Sequence, residues 1–570
     1  MPRTVNLKEK PYNLSDKQIS WVENTINSMS DEEKIGQLFF NLFSLEDRKF
    51  TETDLTNKEI IEKYHIGGAR YQGGNKEAVM NLINDLQEYS KIPLLVAANC
   101  DSGGDGACSD GTYIATAAQC EASGDETVSY NAGYVSGVEE QALGINVNFD
   151  PCVDIIKNFR NTIVNTRAYG RDTDVVIKHT VSYLKGLDKS KVIKCIKHFP
   201  GDGIEERDQH LVLGINNLSI EDWEKSFGEV YRTHINNGVE MIMAGHIALP
   251  NYQKYLVKGL EDKDVLPATL ASELIQDLLK EKLNFNGLVI TDASHMLGMT
   301  SSMQRKDYVP KAIAAGCDMF LFFNDIDEDF NYMLNGYKNG VITKERLHDA
   351  LRRILGLKAK LGLNIEKPKR NLKDLDVIGC KEHKEMQKEA IDKGISLIKD
   401  TKNVLPINNK KHKRVRLYII EGEKNGIYKP NEEFEKLCVE KLEKEGFIVT
   451  LNDRGVRAKG SVEKYKKEVD LALVFVDVKG YAEQNNMRIK YSGPMSNEIP
   501  WFVHEVPTVV VSFNFTNHLH DLTMAKCYIN AYSDCKETIN QLVDKLLGKS
   551  EFKGKYFNEN VWANQFQAKL

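Results

Sequence analysis

Eight short apolar runs rich in β-branched and aromatic residues recur between about residue 30 and residue 363: IGQLFFNLF, IGGARY, PLLVAAN, INVNFDP, VIKCIKHF, MIMAGH, GLVITD and DMFLFF. Helical stretches separate them. Continuous apolar runs between helices read as parallel strands buried on both faces, and eight such βα units close into a barrel. The expected first domain is therefore an α/β (β/α)8 TIM-like barrel over residues 1–364. In that fold the chemistry sits at the C-terminal ends of the strands.

The barrel region closes with TKERLHDALRRILGLKAKLGL, where Leu347, Ala350, Leu351, Ile354 and Leu355 follow the i, i+3, i+4 spacing of an amphipathic helix. Thr343 is placed to cap its N-terminus. The charged, proline-containing stretch that follows reads as a linker over residues 365–382. Beyond it VRLYII, FIVTLN, LALVFVD, TVVVSF and CYINAY alternate with helical segments, enough for a C-terminal α/β sandwich over residues 383–570 but not for a second barrel.

Charge excludes one class of partner. The net charge is −6, with 76 basic and 82 acidic residues interleaved, so no basic face is available to a nucleic acid backbone. No run of about 18 apolar residues marks a membrane span, and the opening MPRTVNLKEKPYNLSDKQ lacks the apolar core of a secretory signal. The expected location is the cytoplasm. Ten cysteines without CxxC or zinc-type spacing argue against both a disulfide framework and a structural metal. They read as buried thiols, with Cys100, Cys152 and Cys195 near strand ends where one could line a site.

The stretch KHFPGDGIEERDQH, from Lys197 to His210, carries the strongest chemical signal. Lys197 and His198 end an apolar strand, and Pro200, Gly201 and Gly203 turn the chain into a polar segment ending in Asp208-Gln209-His210. A carboxylate two residues from a histidine can hold the imidazole in one tautomer and raise its basicity, as acid/base catalysis requires. Taken singly, each histidine is more often a hydrogen-bonded structural residue, and it is the run as a whole that reverses this. The second signal is GLVITD, where Asp292 directly follows an apolar strand. An acid there can face the barrel mouth as a nucleophile, or cap the next helix.

The first stretch resembles the signature of the β-N-acetylglucosaminidases of glycoside hydrolase family 3, roughly KH-F/I-PG-x-G-x4-D-S/T-H. It departs at Asp202, where histidine or leucine is usual, and at Gln209, where a small hydroxyl residue is usual. NFNGLVITD resembles the family's nucleophile motif. GVEEQALGINVNFDPCVDI is similar to its ELRALGINVNFAPVxDV segment, NTRAYGRD to its RSFGxD, and MAGHIALP to its AHIxxP. EAIDKGISLIKDTKNVLPI resembles the entry to its second domain, so the likeness spans nearly the whole chain.

The resemblance implies roles. Asp292 would be the nucleophile, and Asp208 and His210 the acid/base dyad on a mobile loop. Lys197, His198, Arg167 and His246 would touch the sugar. PLLVAANCDSGGDG is similar to PLLIAIDQEGG, whose first aspartate binds distal hydroxyls; Asn99 and Asp101 compete for that place, and Asp101 keeps the anionic acceptor. Asp154 and Asp172 read as loop-tying structural acids. Glu483 matches a glutamate that serves as acid/base in many other members, but with the dyad present it is assigned no role.

The expected reaction is retaining, exo-acting removal of a terminal β-linked GlcNAc, for example from muropeptide fragments, without metal or cofactor. A histidine acid/base does not repel an anion, so phosphate is an alternative acceptor to water. β-Glucosidase or β-xylosidase activity, and a decayed sugar-binding module, are the remaining alternatives.

Overall fold

The computed structural model describes residues 3–45, 53–422, 431–458, 460–479, 482–484 and 487–555. It divides into two compact units. The first takes residues up to Ile114, then Ser129–Ile155 and Asp172–Lys384; the second takes Ala115–Val128, Ile156–Arg171 and the chain from Glu385 onward. Residues 115–128 and 156–171 lie inside the stretch read from sequence as barrel, yet group with the second unit.

The first unit is the expected barrel. Its strands are β1 (Phe39–Ser44), β2 (Gly68–Gln72), β3 (Leu95–Ala98), β4 (Val147–Asn148), β5 (Ile193–Phe199), β6 (Met241–Ala244), β7 (Leu288–Ala293) and β8 (Met319–Leu321). Each lies in one of the eight apolar runs or extends one residue past it. All neighbours pair in parallel and the sheet closes in chain order, β8 meeting β1. Every residue of β3, β6 and β8 is buried. Strands wrapped by helices have no solvent face, and each buried Val, Leu, Ile or Phe contributes about 1.5–3 kcal/mol. Rings pack against the barrel wall, Phe39 stacking on Phe323 with centroids 4.2 Å apart. The closing helix Lys344–Lys360 buries Leu347, Ala350, Leu351, Ile354 and Leu355, and the Thr343 hydroxyl accepts the Arg346 N–H at 3.1 Å.

At the N-terminal ends of the strands, the floor of the barrel, charge is sealed in. Asp318, just before β8, accepts the Val289 N–H at 2.8 Å. Lys280 lies 3.2 Å from the same carboxylate and donates to the Gly316 carbonyl at 2.7 Å. Arg346 and Arg353 donate to Asp349 at 2.6 and 3.0 Å, and Arg353 also donates to the Asn286 carbonyl at 3.0 Å. Another buried lysine, Lys358, donates to the Gln37 side chain at 2.7 Å. Burial pushes the Lys280 and Lys358 ammonium groups down to about 7.

The second unit holds a six-stranded sheet of β9 (Ser396–Asp400), β10 (Arg414–Glu421), β11 (Ile448–Leu451), β12 (Leu471–Asp477), β13 (Thr508–Ser512) and β14 (Cys527–Asn530). The spatial order is β9-β14-β13-β12-β10-β11, parallel except for β9, which runs antiparallel to β14. The five parallel strands are therefore doubly wound, the first lying between the second and third. The sequence reading named these five and missed β9, whose SLIKD run is too short and mixed to read as a strand without its partner. Val474, Val476, Val510 and Tyr528 share their core with Ile156, Val164 and Ala168 of the inserted stretch. Among the described residues no helix is long and apolar enough to cross a membrane.

Candidate active site

Polar side chains gather at or just beyond the C-terminal ends of β3, β4, β5, β6 and β7, the mouth of the barrel. Lys197 and His198 are the penultimate pair of β5, and neither is more than 5% exposed. The Lys197 ammonium lies 2.8 Å from Asp150 just beyond β4, and 3.8 Å from Asp101 beyond β3. Asp150 is fully buried and also accepts the Cys100 N–H at 2.6 Å. A buried charge needs such a partner, so Lys197 is held by the protein and has Asp101, part exposed, as its outward neighbour.

His198 is fixed from behind. Its Nδ1 donates to Asp154 Oδ2 at 2.7 Å, while the other oxygen of Asp154 accepts the N–H groups of His198 at 3.2 Å and Asp202 at 2.7 Å. This leaves Nε2 as the outward nitrogen, 3.9 Å from Asp292 Oδ2. His210 repeats the arrangement with more freedom. Its Nδ1 and its backbone N–H both donate to Asp208 Oδ1, at 2.6 and 2.9 Å; the aspartate is fully buried while the imidazole keeps 20% of its surface. With Nδ1 committed, Nε2 is the nitrogen that can exchange a proton.

Asp292 sits in β7, one residue before its end, and its Oδ1 accepts the Ala293 N–H at 2.8 Å. Burial alone would raise its pKa. The neighbouring His198, His246 and His210, with the Ala293 N–H, outweigh that and hold the carboxyl below its ordinary value. The result is a carboxylate, partly open at the mouth, kept anionic beside His198 and His210. Such a group can attack an electrophilic carbon.

His246 departs from its expected role. It is fully buried, its Nε2 donates to the Ala293 carbonyl at 2.9 Å, and its Nδ1 lies 2.9 Å from the Thr269 hydroxyl. Burial lowers its pKa to about 4, so the ring is neutral, and a neutral ring that donates from Nε2 must accept at Nδ1. Both nitrogens are spent on the protein. His246 supports the backbone beside Asp292 and has no ring nitrogen left for a sugar hydroxyl.

The mouth thus gathers Asp292, His198, Lys197, Asp101, Asp208, His210 and His246. Arg167 ends the short 3-10 helix Asn165–Arg167 in the second unit, and Glu483 also lies there. Asn99, beyond β3, is exposed, and Asp101 is the one of that pair that approaches Lys197. Asp172 caps the helix Thr173–Leu187. Asp154 ties a loop, as read, and in addition orients His198. Sequence reasoning missed Asp150, Thr269 and the side-chain partners of Gln209. Asp150 stands where the family pattern has alanine, a signal that could have found it.

Among the described residues two donor sets have the spacing of a metal site, Cys152-Asp154-His198 and Asp101-Asp150-Cys152, each within 4.8 Å. Their carboxylates are already engaged, Asp154 by three N–H donors and Asp150 by Lys197 and the Cys100 N–H.

The model of the glycosyl hydrolase family 3 N-terminal domain matches residues 30–357. A β-N-acetylglucosaminidase/β-glucosidase of Cellulomonas fimi is 36% identical over 561 residues, 96% of this chain and 97% of that protein. The solved structure of a β-glucoside phosphorylase bound to 2FGlc has a TM-score of 0.91 at 37% identity, covering 96% of this chain and 98% of its own. A family 3 β-N-acetylglucosaminidase from Paenibacillus sp. str. FPU-7 shares the fold, with a TM-score of 0.76 at 21% identity over 93% of this chain and 98% of that one.

Proposed function

The chain belongs to glycosyl hydrolase family 3, and from that premise we propose that it cleaves terminal β-linked GlcNAc or glucose with retention, by double displacement at the barrel mouth. The observation that carries this reading is Asp292, held anionic beside His198 and His210 and by the Ala293 N–H, with His210 itself braced by Asp208. In the first step an Asp292 oxygen bonds to C1, the C1–O bond to the leaving group breaks, and His210 Nε2 gives its proton to the departing oxygen. In the second, His210 takes a proton from water as its oxygen displaces Asp292 from C1. Asp208 stabilises the imidazolium that enters the first step and is regenerated in the second. Lys197, Asp101 and His198 bind sugar hydroxyls. Arg167 lies in the second unit, and no role at the mouth is built on it.

The choice of sugars rests on the Cellulomonas fimi relative, whose name carries both activities. Cell-wall fragments ending in β-GlcNAc fit as the natural source. A second reading has its own support: the similar structure at 37% identity is a β-glucoside phosphorylase. A neutral imidazole beside the glycosyl-enzyme does not repel phosphate as a glutamate would. The test has two arms. A fluorinated glycosyl fluoride should label Asp292 alone, as read by peptide mass spectrometry; a label on another residue overturns the mechanism. Nitrophenyl β-GlcNAc and β-glucoside are then turned over with and without phosphate. Free sugar in both buffers supports hydrolysis, and sugar 1-phosphate formed at the expense of free sugar supports phosphorolysis.

A further inference from the structure

The two residues that depart from the family signature, Asp202 and Gln209, meet in the structure. Gln209 is 2% exposed; its Oε1 accepts the His246 N–H at 2.8 Å, and its Nε2 reaches Asp202 Oδ2 at 3.4 Å. Asp202 accepts the Gly203 N–H at 2.6 Å and donates its own N–H to Asp154, the residue that orients His198. Backbone bonds close the ring: Leu297 and Gly298 donate to the carbonyls of His210 and Gln209 at 2.9 and 3.1 Å. Two glycines make room. A Cβ on Gly298 would stand 2.7 Å from the Gln209 carbonyl, and one on Gly245 would stand 3.2 Å from Gln209 Oε1.

A serine or threonine carries its single oxygen on Cβ. Glutamine sets a donor and an acceptor two carbons farther out and satisfies two partners at once. We propose that Gln209, braced by Asp202, is a positioning residue that locks the acid/base loop to the ends of β5 and β6 and to the segment after Asp292 before substrate arrives. His210 then needs no loop closure to act. This inference rests on the reading of His210 as acid/base, and it concerns how that group is held.

The test compares kcat/KM for a methyl β-glycoside, whose leaving group needs a proton, with that for a dinitrophenyl β-glycoside, whose leaving group does not. Gln209→Ser should lower the first about ten- to a hundredfold, the cost of a misplaced catalytic group, and change the second by less than about twofold. Gln209→Glu sets two carboxylates face to face and should behave likewise. Adding Asp202→Asn restores one carboxylate and one amide in exchanged positions and should recover most of the loss. Equal effects on both substrates, no effect, or an exchanged pair no better than Gln209→Glu alone would overturn the proposal. If Gln209→Ser does not fold, the isosteric glutamate and its exchanged pair decide. His210→Ala separates the two layers. If it distinguishes the substrates while the Gln209 variants do not, only the positioning role falls; if it does not, the acid/base reading falls with it.

Discussion

The mouth and the floor of the barrel hold the same kinds of side chain in opposite states. At the mouth, Asp292 and His210 keep part of their surface, and His210 leaves one ring nitrogen uncommitted by its pairing with Asp208. At the floor, Lys280, Arg353 and Asp318 are wholly buried and cross-linked. Ion pairs buried and cross-linked in this way hold a structure and do no chemistry, whereas a charge left partly open costs stability and is available to react. The two ends of one barrel therefore divide function from stability.

The largest effect that could break this division is at Asp292. Asp292→Ala should lower turnover on the order of 10⁴-fold or more with no fall in melting temperature; a destabilised variant would mean the acid holds the mouth together. His210→Ala should cost about 10²–10⁴-fold on poor leaving groups and little on activated ones, as measured by a leaving-group series. At the floor the expected effects reverse. Asp318→Asn leaves Lys280, Arg346 and Arg353 short of one carboxylate and should cost about 3–5 kcal/mol in urea unfolding, with kcat unchanged. A loss of kcat in the folded variant would erase the contrast.

The smallest effect is on pH dependence. The folded Lys358 titrates near 7 and its unfolded counterpart near 10.5. Below 7 both states carry the proton. Between those values the unfolded chain holds a proton that the folded one has released, so the unfolding free energy rises with pH. Lys358→Met should remove about 1.4 kcal/mol of that rise per pH unit, read from urea midpoints between pH 7 and 10. An unchanged slope would mean that Lys358 stays charged in its pocket.

Much of this was legible in the chain. The eight apolar runs became β1 to β8 because a strand buried on both faces has to be continuously apolar, a local property. The antiparallel β9 was not legible, since SLIKD becomes a strand only where β14 offers an edge. The site shows the same split. Asp208 and His210 are two residues apart and their pairing could be read directly. The pairing of Lys197 with Asp150, and the loss of His246 to Thr269 and the Ala293 carbonyl, join residues 23 to 47 positions apart.

The sequence by itself determined the barrel, the α/β character of the second domain, the family, and which acids and histidines lie at strand ends, because each follows from local periodicity or a contiguous motif. Only the tertiary structure decided which partner each histidine nitrogen meets, which carboxylate stays anionic, and that Asp202 and Gln209 brace one another. Those properties depend on burial and on donors brought in from other strands, and neither is encoded in the spacing of a single segment.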